Sequence, residues 1–147
     1  QEEDFAGFAE LKKCEPNVKI IGDDLTVTNP NRLKKAIEQN SISGIIIKPD
    51  QIGTLSETMQ VMKLADTHKI SCIVSHRSGE TNDDFIADLA YAFGAFGLKA
   101  GATNRGERVA KYNRLWKISD NPLKSYKSNR SYGSYNSNRS YKSHNSN

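Results

Sequence analysis

Four short apolar runs in the sequence each end on a polar side chain that could take part in acid–base or anion-binding chemistry. In chain order, the residues at these ends are Asp23, Lys48, His76, Arg77, Ser78 and Lys99. A single polar residue after an apolar run is an ordinary feature of a turn. The recurrence of a carboxylate, an amine, an imidazole with a guanidinium, and a second amine instead indicates a functional site at the ends of parallel strands.

Placed around one pocket, these side chains would favour a particular chemistry. Two lysines and an arginine attract an anionic ligand, and the adjacent carboxylates of Asp23 and Asp24 attract a divalent cation. A lysine in such a site, here Lys48 or Lys99, can act as a general base. The residue types therefore predict proton transfer on a phosphorylated or carboxylated substrate with Mg²⁺ as the cofactor.

The elements that would hold these side chains follow from the hydrophobic periodicity. We predict strands over residues 18–22, 44–47, 70–74 and 96–98. We predict helices over residues 2–13, 32–39, 54–68, 83–93 and 105–118. Pro49 favours an extended Lys48, and residues 51–53 are predicted to form a loop. Because the unit of strand, polar residue and helix repeats about every 25 residues, we predict an α/β fold with four parallel strands alternating with helices.

Apolar stripes predict which faces the last two helices bury. On the helix over residues 83–93, the inward side chains should be Phe85, Ile86, Leu89 and Ala90. On the helix over residues 105–118, they should be Val109, Tyr112, Leu115 and Trp116.

The carboxyl-terminal part of the chain differs from the rest in composition. Residues 125–147 contain no carboxylate and no aliphatic side chain, and their Lys and Arg residues are Lys127, Arg130, Arg139 and Lys142. Without these four cations, 17 of the 21 basic residues remain, against 17 acidic ones. We therefore divide the chain into a globular domain over residues 1–120 and a low-complexity tail over residues 121–147 that we expect to be disordered.

The cysteine content and the lack of a long apolar run indicate a cytoplasmic protein. Cys14 and Cys72 are the two cysteines and lie far apart in the sequence, which is typical of a reducing compartment. No apolar run approaches the ~20 residues that cross a bilayer, and the acidic amino end differs from a signal peptide.

Longer motifs carry a resemblance to a known family. Residues 22–30, 47–54, 75–81 and 106–115 resemble the corresponding motifs of the enolases, the phosphopyruvate hydratases, and the similarity extends over residues 1–118. It implies the second half of an enolase-type TIM barrel, the carboxyl-terminal part of the catalytic domain. It also implies the Mg²⁺-dependent, reversible dehydration of 2-phosphoglycerate to phosphoenolpyruvate, a step of glycolysis and gluconeogenesis.

The resemblance implies roles for individual residues. Lys48 matches the base that removes the proton next to the carboxylate of 2-phosphoglycerate. His76 matches a pocket-lining substrate contact, and Arg77 and Ser78 match contacts to the phosphoryl group. Lys99 matches the cation that holds the substrate carboxylate. A Lys or His base working with Mg²⁺ is the known strategy of this superfamily.

The resemblance also implies what the chain would need from elsewhere. Asp23 matches one Mg²⁺ ligand, with Asp24 beside it as a less certain carboxylate. Enolases take two further metal carboxylates and a general-acid glutamate from an amino-terminal domain and the first half of the barrel. We therefore expect this chain to be a fragment that is inactive alone, from a protein that forms a homodimer or a larger oligomer.

One departure from the family motif and the composition of the tail add to this comparison. Asp50 stands where enolases usually have Asn, which adds a negative charge that could perturb Lys48. The tail interleaves tyrosines with cations, a pattern that could contact RNA or another polyanion. The incomplete set of catalytic groups and the basic tail leave an alternative open, a non-catalytic, enolase-like binding or scaffold module, although nucleic-acid binding is the less favoured expectation.

Overall fold

Four parallel strands alternate with helices in the computed structural model, which describes residues 2–120. The strands pair in chain order from β1 to β4, so the predicted α/β repeat is confirmed. Helices connect the strands, as parallel pairing requires. The predicted disorder of the tail and its contacts with RNA or polyanions concern residues 121–147, which lie outside the described residues.

The bounds of the elements differ from the predicted ones by a few residues. The strands are β1 (Ile21–Gly22), β2 (Gly44–Ile47), β3 (Ser71–Ser75) and β4 (Gly97–Lys99). The helices are α1 (Phe5–Cys14), α2 (Pro30–Glu38), α3 (Pro49–Ile52), α4 (Leu55–Thr67), α5 (Phe85–Ala92) and α6 (Gly106–Asp120). No helix in the described part of the chain has the length and apolar character needed to span a membrane.

Local hydrogen bonding explains the differences at β1 and α3. The prediction of a strand from residue 18 was wrong, because the Val18 amide donates to the carbonyl of Glu15 and continues the turn after α1. Residues 51–53 were predicted to be a loop, but Pro49 begins the one-turn helix α3. The fixed φ of proline suits the first helical position. Gly53, with φ of 107°, ends this helix with a hydrogen bond to Pro49 O.

The core lies between β2, β3 and the helices that cover them. All four residues of β2 are buried, as their continuous apolar run predicted. Ile45, Ile47 and Val74 are fully buried, and Phe5 from α1 joins the same cluster. Burial of one such side chain stabilises a fold by about 1.5–3 kcal/mol. This core holds the carboxyl ends of β2 and β3, and thus the residues that follow them, in fixed positions.

The predicted inward faces of α5 and α6 are partly wrong. Phe85 is 41% exposed and Trp116 is 67% exposed, whereas Lys111 is buried. Polar contacts determine the orientation of α6. Lys111 donates a hydrogen bond to the loop before α5, and Arg114 forms an ion pair with Asp88 on α5. Those contacts turn the Trp116 position towards solvent.

Candidate functional site

The structure places the predicted site residues at the same edge of the sheet. Asp23 follows β1, Lys48 follows β2, His76 follows β3, and Lys99 is the last residue of β4. Ser75 is in register with Lys99, so the ends of β3 and β4 lie side by side. The predicted location of these residues at neighbouring strand ends therefore matches the observed topology.

Asp23 and Lys48 are in direct contact. Lys48 Nζ lies 2.6 Å from Asp23 Oδ1, and the two side chains are 14% and 34% exposed. A hydrogen bond between two charged, partly buried groups is stronger than a neutral one. This contact joins the ends of β1 and β2. An ammonium group has no lone pair, so Lys48 can act as a general base only in its neutral amine form.

The backbone at Lys48 is held by Thr28, a residue that sequence reasoning missed. Lys48 is extended, with φ of −125° and ψ of 98°, as the following proline predicts. Its amide donates to Thr28 Oγ1 over 2.9 Å. Val27 and Thr28 have φ of 43° and 54°, a region that β-branched residues seldom adopt. Thr28 is fully buried next to the end of β2, and this packing maintains the strained backbone.

Replacing Thr28 with Val tests this support. The substitution keeps the shape of the side chain but leaves the Lys48 amide without its acceptor. We expect the free energy of unfolding to fall by about 1–3 kcal/mol, the usual cost of an unsatisfied buried group. Urea unfolding of the chain would measure it. The control, Thr28→Ser, keeps the hydroxyl and loses one methyl group, worth about 0.8 kcal/mol. Equal losses in the two variants would contradict the role of the hydroxyl.

His76 contacts the backbone of Lys99 and not its amine. The His76 amide donates to Lys99 O over 3.0 Å, and His76 Nδ1 lies 2.9 Å from the same oxygen. Because a carbonyl oxygen can only accept, this contact places a proton on Nδ1. The Nε2 atom of a neutral His76 is then available as an acceptor. The Lys99 side chain is exposed.

Arg77 pairs with Asp50, which by the resemblance stands where enolases usually have Asn. Arg77 Nη1 lies 3.2 Å from Asp50 O and 3.8 Å from Asp50 Oδ2. The side chain of Asp50 thus contacts Arg77, and its effect on Lys48 stays a prediction. Both side chains are about half exposed, and exposed ion pairs contribute only about 0.2–1 kcal/mol. An anionic ligand can therefore displace Asp50 from Arg77 at small cost.

Ser78 lies in the exposed loop between β3 and α5. Gly79, with φ of 75°, follows it and provides the turn. Glu80 closes this turn by accepting the Arg77 amide over 2.9 Å. Ser78 and Lys99 are both exposed. The roles assigned to Lys48, His76, Arg77, Ser78 and Lys99 stay predictions.

The described residues do not by themselves fit a complete Mg²⁺ site. Mg²⁺ requires six oxygen ligands in octahedral geometry, usually including one or two carboxylates. Among residues 2–120 there is no group of three or more His, Cys, Asp or Glu side chains that could hold a metal ion. Asp23 could supply one ligand, but one of its oxygens is hydrogen-bonded to Lys48.

The sequence matches known proteins over most of its length. The family model described as the enolase C-terminal TIM barrel domain matches residues 1–137. The enolase of Helicobacter pylori strain HPAG1 is 51% identical over 118 residues, which cover 80% of this chain and 28% of that protein. The enolase of Ureaplasma parvum serovar 3 is 49% identical over 118 residues, covering 80% of this chain and 27% of that protein.

These matches agree with the observed fold. The four parallel strands and the intervening helices are part of a TIM barrel domain of the enolase type, as the resemblance implied. The chain spans about 28% of the length of the curated relatives that it matches. With half of the aligned residues identical to named enolases and a family model covering residues 1–137, the chain belongs to the enolase family.

Proposed function

We propose that this chain supplies part of the active site of an enolase, which interconverts 2-phosphoglycerate with phosphoenolpyruvate and water. The observation that carries the proposal is the contact between Lys48 and Asp23 at the ends of two neighbouring strands. Arg77, on the loop after the third strand, reaches Asp50, two residues beyond Lys48. The amine of Lys48 and the guanidinium of Arg77 thus lie at the same edge of the sheet. Two such cations suit a substrate that carries a phosphoryl group and a carboxylate.

The proposed chemistry assigns one task to each residue. Arg77 and Ser78 bind the phosphoryl group, Lys99 binds the carboxylate, and His76 lines the pocket. Lys48 accepts the proton from C2 of the substrate. The electron pair left on C2 forms the double bond to C3, and the C3 hydroxyl takes up a proton and leaves as water. We propose that the acid for this last step comes from outside the described residues.

Mg²⁺ is part of the proposal only through Asp23. In the complete site, Asp23 would supply one carboxylate ligand, and the other ligands would come from outside the described residues. Bound there, the ion would neutralise negative charge that develops on the substrate carboxylate.

The short span of the chain relative to its relatives leads to a second proposal, that the chain has little or no turnover alone. The proposal takes one metal carboxylate, that of Asp23, and no general acid from the described residues. We also propose that the complete protein is a homodimer or larger. We place it in the cytoplasm, which agrees with Cys14 and Cys72 both being free thiols.

A chimera tests the proposed function. The 118 matching residues of the H. pylori enolase would be replaced by those of this chain. Formation of phosphoenolpyruvate would be followed by its absorbance, with the parent enolase and the isolated chain measured in parallel. We expect the chimera to turn over 2-phosphoglycerate and the isolated chain to show no detectable turnover.

Two results would contradict these proposals. A chimera that has the circular dichroism spectrum of the parent but no activity would reject the catalytic assignment and favour the non-catalytic binding module. Turnover by the isolated chain at the rate of the parent would reject the proposal that it is inactive alone.

A further inference from the structure

Lys111 on α6 is a buried cation that has no part in the proposed chemistry. Its side chain is 1% exposed, and its three donor hydrogens have three partners. Nζ lies 2.7 Å from Glu80 Oε2, 2.8 Å from Thr81 O and 2.9 Å from Glu107 O. Glu80 and Thr81 belong to the loop after β3, so Lys111 binds that loop to the first turns of α6.

Glu80 connects Lys111 to the backbone of Arg77. One oxygen of its carboxylate accepts from Lys111, and the other accepts the Arg77 amide over 2.9 Å. Burial alone would raise the pKa of Glu80, but the hydrogen bonds from Lys111 and from the Arg77 amide hold this pKa below its usual range. Glu80 therefore stays ionised at neutral pH.

Arg108 restrains the backbone of Arg77 at its carbonyl group. Arg108 Nη1 donates to Arg77 O over 3.2 Å, and the Arg108 side chain is only 14% exposed. Arg77 thus has its amide fixed by Glu80 and its carbonyl fixed by Arg108. The Arg77 side chain is 43% exposed, so its guanidinium remains accessible to a ligand.

We propose that Glu80, Arg108 and Lys111 form a clamp that positions Arg77 and Ser78 to bind the phosphoryl group of the substrate. The proposal rests on the proposed function, because that function assigns the phosphoryl contact to Arg77 and Ser78. The three clamp residues do not touch the substrate and are positioning residues. Held in this way, the loop does not have to be ordered when the ligand binds, which lowers the entropic cost of binding.

The location of the ion pair between Lys111 and Glu80, next to the loop of Arg77, favours a role in ligand binding over a role in stability alone. A buried ion pair contributes little net stability, because desolvation of both charges offsets their attraction. Lys111 and Glu80 instead fix the backbone of a short exposed loop that contains Gly79 in a left-handed conformation. Among the described residues, the Arg77 side chain also contacts Asp50, so the clamp adds backbone restraints to that side-chain contact.

Lys111→Met removes the charge and keeps an unbranched side chain in the buried position. The matched control is Arg114→Met, because Arg114 also binds α6 to a carboxylate, Asp88 on α5, at 2.7 Å and 2.9 Å. Both variants lose an ion pair of α6, but only the first loses contacts to the loop of Arg77. Glu80→Gln is a milder variant that keeps the shape of Glu80 and removes its charge.

Amide hydrogen exchange of the 147-residue chain measures the clamp directly. We expect Lys111→Met to speed exchange of the Arg77 amide about tenfold, as expected when a charge-assisted contact is lost, while Arg114→Met leaves it unchanged. Glu80→Gln should give a smaller increase. Equal rates at Arg77 in Lys111→Met, Glu80→Gln and the control would overturn the clamp, whether or not the chain takes part in enolase chemistry.

Kinetics in the chimera test the consequence for the substrate. We expect Lys111→Met to raise KM for 2-phosphoglycerate about tenfold with a much smaller change in kcat, whereas Arg114→Met changes neither beyond about twofold. Equal effects of the two variants on KM would overturn a role in phosphoryl binding. If the unmodified chimera lacks turnover, the proposed function fails, and the exchange rates still decide whether the clamp exists.

Discussion

Lys48→Met is expected to lower turnover of 2-phosphoglycerate in the chimera by about 10²–10⁴-fold, the usual contribution of a general base. Methionine retains much of the lysine stem but cannot accept a proton. The effect should fall on kcat, because the proton is transferred only in the chemical step. In D₂O, exchange of the C2 proton of 2-phosphoglycerate should be lost together with turnover, and NMR of the recovered substrate would measure it.

An exposed lysine of the same chain provides the control for this experiment. Lys63 lies on α4 and is exposed, so Lys63→Met removes the same charge away from the strand ends. We expect its turnover to match that of the unmodified chimera. A Lys48→Met chimera that keeps the parent rate of C2 proton exchange would show that another group is the base.

Phe5→Ala should be the most destabilising single change in α1, with a loss of about 3–5 kcal/mol in the free energy of unfolding. The ring is 2% exposed and belongs to the core cluster. The cations of Arg32 and Lys35 also lie over it, at 5.7 Å and 4.4 Å from the ring centre. Truncation therefore removes core packing and two cation–π contacts between α1 and α2.

Urea unfolding of the chain, followed by circular dichroism, measures this loss. Leu11→Ala is the control, because Leu11 lies on the same helix but is 48% exposed. Its loss should be well below that of Phe5→Ala. Similar losses for the two variants would contradict the placement of α1 against the core.

The sequence was a good guide wherever a local pattern determines the structure. The run from Gly44 to Ile47 predicted a strand buried on both faces, and the structure buries all four residues. The proline after Lys48 predicted its extended backbone. Because parallel strands start and end at matching edges, the positions of Asp23, Lys48, His76 and Lys99 followed from the order of the elements alone.

Local sequence patterns could not predict contacts between residues that are far apart in the sequence. Hydrophobic periodicity assigned Trp116 to the packed face of α6, whereas Lys111 is the buried residue. A lysine is buried only when its charge finds partners, and the partners Glu80 and Thr81 lie about 30 residues earlier in the chain. In the same way, the pairing of Asp50 with Arg77 depends on how α3 meets the loop after β3.

The most direct test of the central claim is a crystal structure of the chimera with 2-phosphoglycerate bound. We expect the phosphoryl group to contact Arg77 and Ser78 and the carboxylate to contact Lys99. Lys48 Nζ should lie about 3–3.5 Å from C2, the separation of groups ready to react. A substrate bound away from these strand ends, or a Lys48 turned away from C2 with its amine still on Asp23, would contradict this claim.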